Sequence, residues 1–240
     1  MIQEFIQTFF RKKSNHIIIY SHGFGVKKDD RGLFTDIAKN IPKTTHYMFD
    51  YNTIDEKTQE VVVAPLTNQA STLNEHIRTL RAQFPSAVID IIGHSQGCVS
   101  VAMAMPRDIR QIVFLAPPSH LPQKDRKLQL LARPGTEEGP DGSVRYRRRD
   151  GTTTIIRNDY WSSCENVNPT ALYNQLSDIS DVTLICALDD EVLGNVSFDQ
   201  LSPNIRYIEM NADHNFTDAS RTALMTMLSE LLGPSPTATK

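Results

Sequence analysis

Cysteine is scarce in this sequence and does not pair off. Cys98, Cys164 and Cys186 are the full set in 240 residues. An odd number without repeated spacing excludes a disulfide framework and a zinc-ligand pattern, and reads as free thiols in a reducing compartment. Long apolar runs are also missing, and none approaches the roughly 20 residues needed to span a bilayer. Neither sign of charge dominates. A net charge of −3 provides no basic surface for nucleic acid or an anionic membrane, so neither is expected as a partner. No internal repeat is present. The first residues lack a signal-peptide pattern, because Glu4 precedes and Arg11-Lys12-Lys13 follow a short mixed stretch, the reverse of the required order. The expectation is a soluble cytoplasmic protein, long enough for one large domain or two small ones with a substantial core.

What is present is an alternation of β-prone and helix-compatible segments. Residues 1–15 fit either an amphipathic strand or a short helix, with Ile2, Phe5, Ile6, Phe9 and Phe10 in a stripe. Strands are predicted at His16–Tyr20, His46–Tyr51, Val88–Ile92, Gln111–Ala116, Asp181–Leu188 and Ile205–Met210. Helices are predicted at Gly32–Asn40, Thr67–Phe84, Cys98–Met105, Pro169–Leu176 and Asp218–Leu232. The second of these is the clearest, with Leu66, Ala70, Leu73, Ile77 and Leu80 recurring at helical spacing before Pro85 stops it. Between Ser119 and Asn168 the chain turns polar, basic and rich in Gly and Pro. That stretch reads as an insertion: a helix near Lys124–Ala132, then a hairpin over Ser143–Tyr160 turning at Asp150-Gly151. The last few residues are expected to be disordered. Strands alternating with helices imply an α/β fold with a mostly parallel sheet and helices on both faces.

Gly93-His94-Ser95-Gln96-Gly97 stands between the strand ending at Ile92 and the helix beginning near Cys98. Glycines two before and two after a serine, at a strand-to-helix turn, meet the requirement of a nucleophile elbow. The turn strains the serine backbone, brings strand and helix close, and lifts the hydroxyl clear of the sheet. With ordinary glycine usage the bare pattern would arise in roughly one chain in ten of this length, so the rest of the chain must decide its meaning. In parallel sheets the chemistry collects at the carboxyl ends of the strands. The polar residues following the strands here are His22, Ser95, the pair Asp189-Asp190, and Asp213-His214. A serine, acids and a histidine thus appear in the order Ser, Asp, His.

Four motifs in that order make the sequence resemble the α/β-hydrolases over roughly His16 to Leu232. They are His22-Gly23-Phe24-Gly25, Gly93 to Gly97, Ala187-Leu188-Asp189-Asp190-Glu191-Val192, and Ala212-Asp213-His214-Asn215-Phe216. The resemblance implies an α/β-hydrolase core at 1–118 and 169–240, a cap or lid at 119–168 inserted after the strand at 111–116, and no metal or cofactor. Its serine branch fits Ser95, since the dehalogenase and epoxide-hydrolase branches carry aspartate at the elbow. A short cap with a hairpin is similar to those of small bacterial carboxylesterases of the cinnamoyl or feruloyl type. Two departures stand out. The leading hairpin is reduced, and Asp50-Tyr51-Asn52-Thr53 replaces the Gly-rich loop often found after the second core strand.

The roles follow. Ser95 is the candidate nucleophile and needs a base within hydrogen-bond reach. His214 is the candidate base, since it alone of the seven histidines follows a strand, precedes a helix and comes after an acid. The resembled acid motif favours Asp190 as the residue that orients the imidazole, with adjacent Asp189 left open. Asp213 reads as a turn residue and Cys98 as helix packing. The amide of Gln96 at the start of the elbow helix is one candidate oxyanion donor, aided by the helix dipole. The resemblance assigns the other to the amide of Phe24. Substrate contacts are expected from His22 and Gly23, although His22 also matches a family position that braces loops. In the insertion Tyr146, Tyr160 and Trp161 are candidates to wall the pocket, against the more usual role of hairpin aromatics in packing the hairpin onto its domain. The Arg145, Arg147, Arg148 and Arg149 run reads as a solvated hairpin arm rather than an anion site. The expected partner is a small-molecule ester cleaved through an acyl-enzyme. An amide, peptide or thioester substrate is the alternative, and a non-catalytic binder on the same scaffold is the remaining one.

Overall fold

A computed structural model describes residues 15–121, 123–148, 151–194 and 196–233. The N-terminal segment with its stripe of Ile and Phe, the Asp150 turn position, Arg149 and the chain end beyond Gly233 lie outside the described residues.

The main sheet contains β1 (His16–Ser21), β2 (Thr45–Met48), β5 (Val88–His94), β6 (Gln111–Leu115), β10 (Asp181–Ala187) and β11 (Arg206–Met210). They run in the order β11-β10-β6-β5-β1-β2, every pair parallel. Successive strand residues point to opposite faces. In the inner strands β1, β5, β6 and β10 both faces are buried, so these four are near-continuous apolar runs, whereas the edge strands β2 and β11 are more polar and more exposed. Ile17, Ile19, Ile89, Ile91, Ile112 and Phe114 pack on one side against the helices α2 (Leu66–Gln83), α3 (Gln96–Ala104) and α6 (Pro169–Ser177). Ile18, Tyr20, Ile92, Val113, Leu115 and Ile185 pack on the other against α1 (Leu33–Asn40) and α7 (Asp218–Leu232). The apolar stripe expected of α2 is the buried one, with Leu66, Ala70, Leu73, Ile77 and Leu80 inside.

Two corrections to the expected elements matter for the site. The elbow helix begins at Gln96, directly after Ser95, rather than at Cys98. Polar Gln96 and the glycine after it hid two helical residues from an apolar-run criterion. The expected arm from Asp150 to Tyr160 ends early: β9 is Thr153–Ile156, and α5 takes Asn158–Cys164, with Asp159 in its first turn bonding the Tyr160 amide at 2.8 Å.

A second, five-stranded sheet lies over this core. It runs β3-β4-β9-β8-β7, from β3 (Thr53–Asp55), β4 (Glu60–Val62), β7 (Thr136–Glu138), β8 (Val144–Arg147) and β9. The hairpin β3–β4 comes from the stretch between β2 and α2, where no strand was expected. Each of these strands is three residues long, too short for alternation to register. The hairpin replaces the missing Gly-rich loop: Asn52 ties its base, donating to the Val26 carbonyl at 3.0 Å and accepting from the Ala64 amide at 3.2 Å. Helix α4 (Gln123–Leu131) precedes β7. Val63, Leu66, Val99, Leu130, Val144, Ile156 and Tyr160 form a third apolar cluster between this sheet and helices α2 and α3.

The tightest approach in the fold joins β1 to α3. A Cβ on Gly97 would lie 2.0 Å from the Ser21 carbonyl oxygen and 2.7 Å from that of His22. Both are backbone atoms and have nowhere to go. Gly97→Ala is therefore expected to destabilise the fold by about 3 kcal/mol or more, as a lower midpoint in urea unfolding.

Candidate active site

Ser95 occupies the turn between β5 and α3 at φ 53°, ψ −126°. This left-handed-side conformation costs a non-glycine residue about 1–3 kcal/mol. Its own amide donates to the Leu115 carbonyl at 2.9 Å, and the Cys98 amide donates to its carbonyl at 3.0 Å. These bonds hold the strained turn. Gly93 leaves room for the returning helix, since a Cβ there would meet the Cys98 backbone at 3.1 Å.

The loops after β10 and β11 bring two further side chains to Ser95. His214 Nε2 lies 3.0 Å from Ser95 Oγ, and His214 Nδ1 lies 2.7 Å from Asp190 Oδ2. With the Nδ1 proton donated to the carboxylate, Nε2 is left to accept the serine proton. The second carboxylate oxygen, Oδ1, accepts from the amides of Val192 at 2.9 Å and Leu193 at 2.7 Å. Burial alone would raise the Asp190 carboxyl. The bond and charge of His214, with the two amides, outweigh it and hold the group below the usual carboxylate value. Ser95, Asp190 and His214 are all at least nine-tenths buried. Asp189 is exposed, and its amide donates to the Ala212 carbonyl at 3.0 Å. Asp213 turns away to accept from the Thr217 amide and hydroxyl at 2.7 and 2.6 Å.

The loop after β1 lies alongside the serine. A Cβ on Gly23 would come within 3.3 Å of Ser95 Cβ. Both nitrogens of His22 are committed to the backbone: Nδ1 donates to the Gly23 carbonyl at 2.9 Å, and Nε2 accepts from the Tyr51 amide at 3.0 Å. Burial lowers its pKa against the pull of the Gly23 bond and nearby acids, in keeping with a neutral ring. The peptide is planar and trans. Holding the Gly23 carbonyl therefore aims the Phe24 N–H of the same peptide in the opposite direction. The structure thus uses His22 behind the loop, bonded to backbone on both sides. Gln96 is the first residue of α3, so its amide belongs to the unpaired set at a helix N-terminus.

Tyr146 and Trp161 sit in the packing below the second sheet. Arg133 and Arg148 lie over the Tyr146 ring at 5.6 and 6.0 Å from its centroid. Trp161 packs edge-on against Tyr160 at 5.3 Å, and its buried Nε1 has no hydrogen-bond partner among the described residues. Of the arginine run, Arg145 pairs with Glu60 and Arg148 turns inward to the Phe24 carbonyl. Cys98 is buried and contacts the Leu115 carbonyl at 3.6 Å, and burial pushes its thiol well above the ordinary value, as expected of packing. Among the described residues no cluster of metal-ligating side chains is present, and no helix is long and apolar enough to cross a membrane.

No protein-family model matches the sequence, and comparison with curated proteins finds no match. Solved structures do match. The esterase domain of a Rhodothermus marinus protein aligns at TM-score 0.62 and 16% identity, over 93% of this chain and 87% of that one. Est1E from Butyrivibrio proteoclasticus, solved with ferulic acid bound, aligns at TM-score 0.64 and 16% identity, over 90% and 87%. The Pyrococcus furiosus esterase Pf2001 aligns at TM-score 0.61 and 16% identity, over 92% and 84%. The fold is the α/β-hydrolase fold. On this sheet Ser95 stands at the turn from β5 into α3, and Asp190 and His214 stand in the loops after β10 and β11.

One residue near the site gave no signal in the sequence. Asp30, in the charged run Lys27-Lys28-Asp29-Asp30-Arg31, looks solvated but is only 3% exposed. Its Oδ2 accepts from the Gly23 amide and from His94 Nδ1, both at 2.8 Å. His94 Nε2 in turn lies 2.9 Å from the His214 carbonyl, to which it must donate. With Asp30 ionised, both His94 nitrogens carry protons and the ring pairs with the carboxylate as an imidazolium. Burial opposes the charge on each, but the pairing wins, raising His94 and lowering Asp30. The pair ties the loop after β1, the elbow and the His214 loop to one point.

The sign of the pH effect follows. The raised His94 value makes its contribution complete below the ordinary imidazole value of 6.5 and lost as pH rises through the elevated one. The lowered Asp30 value postpones loss on the acid side to below 3.8. Asp30→Asn is expected to cost about 3–5 kcal/mol near pH 6, by removing one partner of a buried pair. In urea titrations the cost should shrink at alkaline pH, where the native protein loses the pair as well.

Proposed function

We propose that the protein is a serine hydrolase that cleaves small carboxylic esters through an acyl-enzyme. The observation that carries this reading is the continuous relay from Ser95 Oγ to His214 Nε2 at 3.0 Å and from His214 Nδ1 to Asp190 Oδ2 at 2.7 Å. The resemblance of the fold to esterases adds support.

In this reading Ser95 Oγ attacks the ester carbonyl carbon while its proton passes to His214 Nε2. Asp190 holds the imidazole in the required tautomer and stabilises the imidazolium. The carbonyl oxygen becomes an oxyanion, received by the amides of Phe24 and Gln96. The tetrahedral intermediate collapses by breaking the bond to the alkoxy oxygen, which takes the proton from His214 and departs as the alcohol. Water then repeats the sequence: His214 takes its proton, the hydroxide adds to the acyl carbon, and collapse returns the proton to Ser95 and releases the acid. Residues 119–168 act as the cap over this site, with the hairpin at Thr53–Val62 completing its sheet. Three free, buried cysteines accord with a cytoplasmic enzyme.

Ser95→Ala is expected to reduce nitrophenol release from short acyl nitrophenyl esters to background and to abolish labelling by a fluorophosphonate. Undiminished turnover rejects the mechanism, and an unlabelled wild-type protein favours a binding role instead. Asp190→Asn is expected to lower kcat by about 10³–10⁴-fold, whereas Asp189→Asn leaves it within about twofold. Equal losses in the two variants would reject Asp190 as the orienting acid. Matched ester and amide substrates across a panel of acyl chains identify the preferred leaving group.

A further inference from the structure

The two residues assigned to the oxyanion hole are both gripped by side chains of the second sheet and the helix that follows it. Arg148, just past β8, donates from Nη2 to the Phe24 carbonyl at 3.1 Å and from Nε to Thr154 Oγ1 at 2.6 Å. Gly25 makes the approach possible. It sits at φ 61°, and a Cβ there would lie 2.6 Å from Arg148 Nη2. Phe24 is thus fixed on both sides, its preceding peptide by His22 from the core and its following peptide by Arg148 from above. Tyr160 on α5 supplies the other grip. Its ring lies 5.3 Å from the Phe24 ring, and its hydroxyl donates to Gln96 Oε1.

The Gln96 side chain extends this connection into α2. Gln96 Nε2 donates to Gln69 Oε1 at 3.3 Å, the same oxygen accepts from Ser100 Oγ at 2.6 Å, and Gln69 Nε2 donates to the Ala64 carbonyl at 2.7 Å. Ser163 Oγ accepts from the Leu66 amide at 2.9 Å and donates to the Tyr160 carbonyl at 2.6 Å, which anchors α5 to the start of α2. Every amide, hydroxyl and carbonyl in this chain has its counterpart, so it is a satisfied buried network rather than a loose contact.

We propose that Arg148 and Tyr160 are positioning residues for the oxyanion hole, and that the second sheet sets the aim of the Phe24 and Gln96 amides in addition to covering the site. The proposal rests on the serine-hydrolase reading above. Oxyanion donors act only if they already point to where charge develops, and losing one donor outright typically costs 10²–10³-fold in kcat. Releasing the side chain that steadies a donor forfeits part of that. The loss falls on the transition state, because the ground-state carbonyl makes weaker use of the same amides.

The test compares the full-length wild type with Tyr160→Phe, which removes the bond to Gln96 and keeps the ring on Phe24, and with Arg148→Met. Arg145→Met, three residues earlier on the same arm, removes the ion-pair partner of Glu60 and no contact with Phe24 or Gln96, and is the control. Each is assayed on a nitrophenyl ester for kcat and KM, and for inhibition by a trifluoromethyl ketone, which adds to Ser95 to form a tetrahedral oxyanion. Thermal midpoints are recorded alongside. Tyr160→Phe and Arg148→Met are expected to lose about tenfold in kcat with KM within about twofold, and the ketone inhibition constant should rise by the same factor as kcat falls. Arg145→Met should match the wild type. Unchanged kcat and ketone affinity in Tyr160→Phe overturn the proposal. A rise confined to KM also overturns it, since the residues would then be touching substrate. Wild-type turnover that persists in Ser95→Ala removes the serine mechanism and this proposal with it, whereas Ser95-dependent turnover with unaffected variants removes this proposal alone.

Discussion

The rest of the structure depends on how closely helix α3 crosses the end of strand β1. At Gly97 the helix has no side chain, and the Ser21 carbonyl occupies the space a Cβ would need. Ser21 Oγ fastens the crossing by donating to the Gly97 carbonyl at 2.8 Å, and it also meets the Tyr51 hydroxyl at the same distance. Because β1 and β5 are adjacent and in register, with Ser21 opposite Gly93, the loop that leaves β1 has to pass beside the turn that leaves β5. The loop after β1 and Ser95 are neighbours for that reason. A bulkier helix residue would push the loop away from Ser95 while leaving every side chain of the candidate site in the sequence.

Charge is handled by pairing it where it is buried. Asp30 and His94 form an ion pair below the serine turn, and Asp190 and His214 form a second Asp–His pair beside it, with the two imidazole rings 5.0 Å apart. The first is committed to backbone groups and a carboxylate on every side. The second leaves one nitrogen facing the serine hydroxyl. Two Asp–His pairs of the same composition thus differ in what the second ring nitrogen meets: a carbonyl oxygen, which can only accept a hydrogen bond, or a hydroxyl, which can donate or accept one.

How much of this the sequence disclosed varies with the number of residues that act together. Val88–Ile92, Gln111–Leu115 and Asp181–Ala187 were legible because a strand buried on both faces is an unbroken apolar run. Ser95 and the acid pair Asp189-Asp190 stood out because each follows such a run, whereas His214 stood out by following a predicted strand and an acid, although its strand, Arg206–Met210, is a largely exposed edge. The second sheet was largely hidden. Its strands are three or four residues long, and Glu60–Val62 and Thr136–Glu138 carry no alternation to read. Asp30 and Arg148 were hidden for another reason. Each lies in a run of like-looking charged residues, and only the three-dimensional path of the loop decides which member turns inward.

The second sheet is assembled from distant parts of the chain: Glu60 to Val62 pair in parallel with Thr153 to Ile155, while β5 and β6 of the core lie between them in sequence. Bringing those two strands together closes a loop of about ninety residues, whose entropy is lost before the pairing returns any contact. The core that lies inside the loop lowers this cost once it has folded, because it already holds both ends near each other. The covering sheet therefore cannot be cut out as a folding unit, nor can either of its halves be exchanged for a foreign segment without stranding the other. Its assembly is bound to the core in a way that a cap inserted at a single point would not be.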